Sequence, residues 1–142
     1  MTTTHDAVRQ LLEELAAAYQ ARDPGRALRL FADDIVFVGT GPDELRFGHA
    51  ALKEQVDRDL SQADKLDAQV GDVGVSGPGS GNLAWFYAHL TLDVVAGGAS
   101  LTMPMRVTGV ATDDGDGWQF RQTHFSLPAV EQAEGDSFPA TR

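Results

Sequence analysis

The dipeptide Gly97–Gly98 stands between two long extended runs of the chain. Both central positions of a type I′ turn need a positive φ angle, which glycine adopts without steric cost. The pair therefore predicts a tight hairpin in which Ala96 faces Ala99. Counting outward from the turn places His89 opposite Arg106. Because side chains alternate along a strand, this register decides which residues share a face of the sheet.

The predicted hairpin has two faces of different chemistry. One face combines aromatic and polar side chains, with Trp85, Tyr87, His89 and Thr91 against Val110, Thr108, Arg106 and Pro104. The other face is apolar throughout, with Phe86, Ala88, Leu90, Leu92 and Val94 against Gly109, Val107, Met105, Met103 and Leu101. Such a contrast indicates that the two faces have different surroundings.

The turn over Asp113–Gly117 extends the first face to a third strand. A five-residue loop places Arg106 opposite His124, Thr108 opposite Gln122 and Val110 opposite Phe120. His89, Arg106 and His124 then form a row across three strands, which lie about 4.8 Å apart. A slip of either hairpin by one residue would destroy the row.

This row is the predicted catalytic site. We predict that Arg106 binds a carboxylate, phenolate or enolate of a ligand. His89 and His124, held neutral by the adjacent positive charge, would accept or relay a proton. The alternative is an exposed polar face, with Arg106 paired internally by Asp93 or Glu44.

Further side chains complete the predicted pocket. Exposure of a large aromatic surface to water is unfavourable in free energy, so these aromatic side chains are expected to be covered. Small-molecule sites combine an apolar floor with a few polar groups. The predicted ligand-binding residues are Tyr19, Phe37, Trp85, Tyr87, Thr108, Phe120 and Gln122. Tyr19 lies on the apolar face of a predicted helix, where an ordinary core tyrosine is the alternative. The aromatic side chains are pocket wall or core, and the sequence does not separate these two roles.

Apolar residues at three-and-four spacing predict three helices in the first half of the chain. The first covers residues 4–22. Asp23 and Pro24 provide an N-cap and a first helical residue for a short second helix that ends near Ala32. The third helix follows Gly48.

Extended periodicity dominates the second half. Ile35–Val38 is a first strand, and turn signals separate four more strands from about residue 66 to Pro128. Helices followed by an antiparallel sheet predict one α+β domain over residues 1–128. The polar segment 129–142 is expected to be a loose tail.

Composition excludes several classes of function. The net charge of −10 repels phosphate backbones and anionic lipids, so neither nucleic acid nor a membrane is an expected partner. Cysteine is absent and the four histidines lack ligand spacing, so no metal and no cofactor are expected. The absence of cysteine, of an export leader and of a membrane-length apolar run favours the cytoplasm.

Several short strings occur in a suggestive order: Leu30-Phe-Ala-Asp-Asp34, Gly48-His-Ala-Ala-Leu52, Trp85, Met105-Arg-Val-Thr108, and Gly117-Trp118 before His124-Phe-Ser126. With them, roughly residues 5–127 resemble the SnoaL-like branch of the nuclear-transport-factor-two-like superfamily, which includes ketosteroid isomerase. The resemblance implies a cone-shaped, cystatin-like fold in which about three helices wrap a curved antiparallel sheet.

The resemblance also implies that the pocket lies on the face bearing Tyr87, His89 and Arg106. The apolar face would then be convex and covered by a second subunit, so a homodimer is expected. Alignment with ketosteroid isomerase places Gly39 at the base, Leu15 at the tyrosine and Arg106 at the second aspartate. Steroid isomerisation by that mechanism is therefore not expected.

Three functions remain open at this level. The first is a binding module for a small, largely apolar molecule with an anionic or oxyanion group. The second is a cofactor-free isomerase, cyclase or hydratase, in which His89 or His124 moves a proton and Arg106 stabilises negative charge. The third is an oligomerisation domain similar to the calmodulin-dependent kinase association domain.

Overall fold

The computed structural model describes residues 3–78 and 81–140. Its elements, in chain order, are α1 (Thr4–Gln20), α2 (Pro24–Leu28), β1 (Phe31–Val38), β2 (Leu45–Phe47), α3 (Gly48–Gln62), β3 (Lys65–Ser76), β4 (Leu83–Ala96), β5 (Ala99–Asp113) and β6 (Trp118–Ser126). The three helices and the open six-stranded sheet confirm the predicted α+β class and cone-shaped fold. None of the helices in these two ranges is long and apolar enough to cross a membrane.

The helix starts follow the expected capping chemistry. The Thr3 side chain caps α1 by accepting a hydrogen bond from the Asp6 backbone N–H, and the Asp6 carboxylate accepts one from the Thr3 backbone N–H. Asp23 caps α2, and Pro24 is its first residue. This helix ends at Leu28, short of the predicted Ala32, because Phe31 already pairs with β6 as the first residue of β1.

The strands follow the order β2-β1-β6-β5-β4-β3. β1 and β6 run parallel, and the other neighbouring pairs among the described residues are antiparallel, so the sheet is mixed. A parallel pair needs a crossover connection, which the chain from β2 to β5 provides. The sequence did not predict the three-residue edge strand β2, which is too short to show an alternating pattern.

The register of the β4–β5 hairpin is confirmed. Ala96 pairs with Ala99 and His89 with Arg106. Gly97 and Gly98 have φ angles of 58° and 80°, as a type I′ turn requires.

The register predicted for the β5–β6 hairpin is wrong. Asp113 pairs with Trp118, so the loop is one residue shorter than expected. A bulge at Arg121 then adds one residue to β6. Together these shifts place His124 opposite Thr108 instead of Arg106, whose partner is Ser126.

The shorter loop also changes the face on which Phe120 lies. Between the turn and the bulge the register is shifted by a single residue, so Phe120 pairs with Ala111 and is fully buried in the core. Its ring lies 5.1 Å from that of Phe31 and 5.8 Å from that of Phe86. The Arg121 guanidinium anchors the bulge through hydrogen bonds to Thr112, Asp34 and Asp114.

The helices cover the apolar face of the sheet, which we call the inner face. Phe86, Leu90 and Val107 on this face pack in one core with Leu12 of α1 and Val56 of α3. The expectation that a second subunit covers the apolar face is therefore corrected, because the helices of the same chain bury it. An amphipathic helix buries most area by packing against the more apolar side of a sheet.

The opposite face, here the outer face, carries the aromatic and polar residues of β4, β5 and β6. No helix in the described part of the chain lies over it. Trp85 and Tyr87 are 51% and 55% exposed. The Tyr87 ring lies across Gly74 of β3 so closely that a methyl group at that position would overlap it.

Candidate ligand-binding cavity

A cavity of about 330 Å³ lies between the inner face and the helices. Its walls are apolar side chains from α1, from Ala63 directly after α3, and from every strand except β2. They are Leu15, Ala16, Phe31, Phe37, Ala63, Leu66, Ala68, Leu90, Leu92, Val94, Ala96, Met103, Met105 and Phe125. Exposed Thr40 and Gln62 also line the cavity, which therefore reaches the surface beside them. The size and lining are typical of a small-molecule site.

Three ionisable side chains line one end of the cavity, which we call the acidic end. Tyr19 comes from α1, Glu44 from the loop between β1 and β2, and Asp59 from the last turns of α3. The Tyr19 hydroxyl donates a 2.9 Å hydrogen bond to Asp59 Oδ2. No Lys, Arg or His within the described ranges lines the cavity, so its charge is acidic.

Gln55 links the two carboxylates of the acidic end. Its side chain is fully buried, and its Nε2 donates to Glu44 Oε1 at 2.6 Å and to Asp59 Oδ1 at 2.7 Å. Because one nitrogen serves both oxygens, these are at most roughly 5 Å apart. Gln55 Oε1 accepts from Arg46 Nε at 3.2 Å and from an Arg58 nitrogen at 3.4 Å. The amide is thereby held between two acceptors and two cationic donors.

Glu44 owes its position to two glycines. The backbone N–H of Gly41 donates to Glu44 Oε2. A methyl group at Gly39 would lie 2.8 Å from the Glu44 Cβ, and one at Gly41 would overlap its carboxylate. Arg58 lies 3.7 Å from Glu44 Oε1 and also binds Asp43. The loop therefore folds back onto its own glutamate and presents it to the cavity.

The acidic end perturbs the protonation of two of its members. Burial raises the pKa of the Asp59 carboxyl, and the nearby Glu44 charge adds to the rise. Hydrogen bonds from Tyr19 and Gln55, and the charge of Arg58, oppose it. Burial, followed by the Asp59 charge, raises the pKa of Tyr19 well above its usual value, so the hydroxyl stays protonated. Tyr19 is therefore a hydrogen-bond donor to a carboxyl that can hold or release a proton.

The structure brings two of the predicted ligand-binding residues to the cavity. Tyr19 and Phe37 line it, and Phe120 lies in the core beyond the lining. Gly39 and Leu15, at the positions aligned with the base and the tyrosine of ketosteroid isomerase, also line it.

The remaining predicted residues lie on the outer face, which corrects the expectation that this face forms the pocket. They are Trp85, Tyr87, His89, Arg106, Thr108, Gln122 and His124, all of them exposed. His89 remains opposite Arg106, and the Tyr87 and His89 rings meet edge to face at 6.4 Å. His124 lies opposite Thr108, which is two residues along β5 from Arg106. A catalytic role for Arg106 and the two histidines stays a prediction, and it would act outside the cavity.

Sequence reasoning missed Glu44, Gln55 and Asp59. A signal for two of them was present in α3, where Leu52, Val56 and Leu60 mark the buried stripe. Positions 55 and 59 lie three residues after 52 and 56, on the same side of the helix. Two polar residues on a buried stripe must find partners, which is a mark of a functional site. Glu44 carries no comparable signal, because it lies in a loop.

No group of three or more metal-binding side chains occurs within residues 3–78 and 81–140. Glu44 and Asp59 are two carboxylates that accept hydrogen bonds from Gln55, Tyr19 and the Gly41 backbone. These side chains can themselves form hydrogen bonds and ion pairs and can transfer a proton.

Comparison with protein families gives one match. The family model described as the SnoaL-like domain matches residues 8–130, which is most of the chain. No curated protein matches the sequence.

Solved structures share the fold at low sequence identity. A protein provisionally described as an aromatic ring hydroxylase, from Novosphingobium aromaticivorans, has a TM-score of 0.79 and 20% identity over 87% of each chain. A nuclear transport factor 2-like superfamily protein from Salmonella enterica has a TM-score of 0.77 and 16% identity, covering 92% of this chain and 94% of its own. A hexachlorocyclohexane dehydrochlorinase has a TM-score of 0.77 and 12% identity, covering 94% and 91%. At identities this low the similarity shows a shared fold, whereas the chemistry of each site has to be inferred from the residues of that protein.

Proposed function

Because the chain belongs to the SnoaL-like domain family, we propose that it binds a small, largely apolar organic molecule in the inner cavity. The polar group of that molecule lies at the acidic end. The observation that carries the proposal is the 330 Å³ cavity itself, whose walls are apolar and whose ionisable groups gather in one place. This combination lets apolar burial provide affinity while a few polar contacts fix orientation.

An anionic group on the ligand is not part of this proposal. The cation expected to bind it, Arg106, lies on the outer face, and the ionisable groups of the cavity are Tyr19, Glu44 and Asp59. A carboxylate or enolate placed among them would meet like charge, and no Lys, Arg or His of the described residues lines the cavity to offset it.

The test is to fill the cavity from within. Met103 lines the cavity, whereas Leu101, two residues earlier on β5, does not line it and is 57% exposed. Binding of a neutral apolar fluorophore, N-phenyl-1-naphthylamine, is measured by its fluorescence increase and by displacement with neutral apolar alcohols. We expect Met103→Trp to abolish binding and its control Leu101→Trp to retain it. Equal binding by the wild type and Met103→Trp would refute the cavity as the site.

Proton-transfer catalysis is the second candidate, and the raised pKa of Asp59 favours it. A carboxyl with a raised pKa beside an apolar cavity, next to a tyrosine that donates a hydrogen bond to it, can serve as general acid or base. The group that moves the proton is then Asp59, since His89 and His124 lie on the outer face. One structural neighbour is named a dehydrochlorinase, so proteins of this fold include enzymes.

This candidate is tested by following deuterium exchange from D2O into the activated C–H bonds of a panel of apolar ketones by NMR. We expect exchange with the wild type to exceed that with Asp59→Asn, while the exposed Asp57→Asn on the same helix behaves as wild type. Exchange that is unaffected by Asp59→Asn would show that Asp59 is not the base.

We also propose that a second copy of the chain covers the outer face. Trp85 and Tyr87 leave about half of their surface wet there, which costs free energy that a dimer would recover. Light scattering is expected to give the mass of a dimer for the wild type and of a monomer for the double variant Trp85→Glu/Tyr87→Glu. A monomeric wild type would refute the interface, and a larger assembly would favour the oligomerisation-domain function instead.

A further inference from the structure

Asp59 is the carboxylate of the cavity that forms no ion pair within the described part of the chain. Glu44 is 3.7 Å from Arg58 and accepts from the Gly41 backbone. The hydrogen-bond partners of Asp59 are the neutral groups of Tyr19 and Gln55. Within residues 3–78 and 81–140, no Lys, Arg or His forms an ion pair with it. A half-buried carboxylate left in this state favours binding of a cation.

We propose that the ligand of the cavity is an apolar amine, whose ammonium group is held between the carboxylates of Asp59 and Glu44. This inference rests on the proposed binding function and names the chemical class of its ligand. Gln55 sets the spacing, since its Nε2 holds an oxygen of each carboxylate at 2.7 and 2.6 Å. Oxygens at most roughly 5 Å apart can both accept from one ammonium nitrogen, because each carboxylate oxygen has two acceptor positions.

The surroundings of the acidic end support an ammonium over other groups. The Tyr19 hydroxyl donates a hydrogen bond to Asp59, so its oxygen is free to accept one from the ligand. Arg46 and Arg58 are bound to Gln55, Glu54, Asp43 and Glu44 and do not line the cavity, so they leave the site negative. The apolar walls formed by Leu90, Leu92 and Met103 then accept the hydrocarbon part.

The pH dependence of binding follows from the same contacts. Asp59 faces Tyr19 on α1, Glu44 in the β1–β2 loop, and Gln55 and Arg58 on its own helix. Burial raises the pKa of Asp59, so protonation competes with the ammonium for this carboxylate. Amine affinity is therefore expected to rise as the pH increases through the pKa of Asp59, until the amine itself loses its proton.

The test uses three probes that share a phenyl ring on a four-carbon chain, and each is titrated by calorimetry at pH 7. They are 4-phenylbutylamine, 4-phenylbutan-1-ol and 4-phenylbutanoate. We expect the amine to bind at least about tenfold more tightly than the alcohol, which is a typical gain from a partly desolvated ion pair, and the carboxylate to bind most weakly. Asp59→Asn should remove the preference for the amine and keep the binding of the alcohol. Asp57→Asn, which removes the same charge from the exposed side of α3, should keep the preference.

The outcomes separate the two proposals. If the alcohol binds as tightly as the amine, the ammonium site is refuted and the cavity function stands. If none of the three probes binds to the wild type, both proposals fail. If Asp59→Asn does not fold, judged by circular dichroism, the wild-type pH series decides, because an amine preference that does not grow between pH 4 and 7 would overturn the inference.

Discussion

Removal of the Gln55 amide is expected to be among the most costly polar substitutions in this chain. Gln55 is fully buried and makes four polar contacts, two of them to carboxylates at 2.6 and 2.7 Å. Gln55→Leu keeps the volume and removes all four. Hydrogen bonds to charged groups contribute about 1.5–3 kcal/mol each, but such contributions are not additive within one network.

The loss is smaller than the sum of these contributions, because the partners of Gln55 are partly exposed to solvent. The Arg46, Arg58 and Glu44 side chains are 20%, 33% and 15% exposed and can recover some hydration. We therefore expect Gln55→Leu to lose about 3 kcal/mol of unfolding free energy, which lowers Tm by about 10 °C in a domain of this size. Urea unfolding followed by far-UV circular dichroism measures both midpoint and slope.

The matched control is Gln10→Leu, which removes an exposed glutamine whose side chain makes a 3.4 Å contact with Glu14. Its expected cost is below about 0.5 kcal/mol. A second variant, Gln55→Glu, places a third carboxyl between Glu44 and Asp59 and should destabilise more at pH 7 than at pH 5. The reasoning fails if Gln55→Leu stays within about 0.5 kcal/mol of the wild type.

Three further predictions concern single positions. Burial raises the pKa of Asp59, so the folded state binds its proton more tightly than the unfolded state does. The contribution of this proton to the unfolding free energy is complete below the unfolded pKa of about 4 and is lost as the pH rises through the folded pKa. Asp59→Asn should therefore flatten the decline in unfolding free energy above pH 4, and an unchanged slope would contradict the assignment. Gly41→Ala should push the Glu44 carboxylate from the acidic end and lower the pKa of Asp59 in an NMR titration, whereas an unmoved pKa would show that the loop does not place Glu44. Thr123→Val removes a fully buried hydroxyl that has no hydrogen-bond partner, so thermal unfolding should show a gain of about 1 kcal/mol, and a loss would reveal a partner.

Much of the fold could be predicted from local chemistry. Helical spacing, the Asp23–Pro24 start and the Gly97–Gly98 turn each specify structure within a few residues. They placed the helices and the β4–β5 register correctly. The β5–β6 register depended on a bulge at Arg121, which is fixed by contacts with Asp34 and Thr112 that are distant in sequence or across the strand. No local pattern encodes such contacts.

The location of the site could not be predicted for a different reason. Polar residues on a sheet face are equally compatible with a binding site and with a solvated surface. The similarity to the SnoaL-like family favoured the binding site. The decisive information was the position of the helices, which bury the apolar face carrying Leu90 and Met105. Tyr19 was identified because it places a hydroxyl on an apolar helix face. A search for polar groups on the buried face of α3 would have found Gln55 and Asp59 in the same way.

The cavity divides its tasks between parts of the chain that are far apart. Strands of one continuous sheet supply most of the hydrophobic wall, whereas Tyr19, Glu44 and Asp59 come from two helices and a loop outside that sheet. Exchange of these three side chains would therefore leave the strand pairing intact. A scaffold arranged in this way can be redirected to new ligand head groups by a handful of substitutions, which makes the acidic end the natural place to begin engineering.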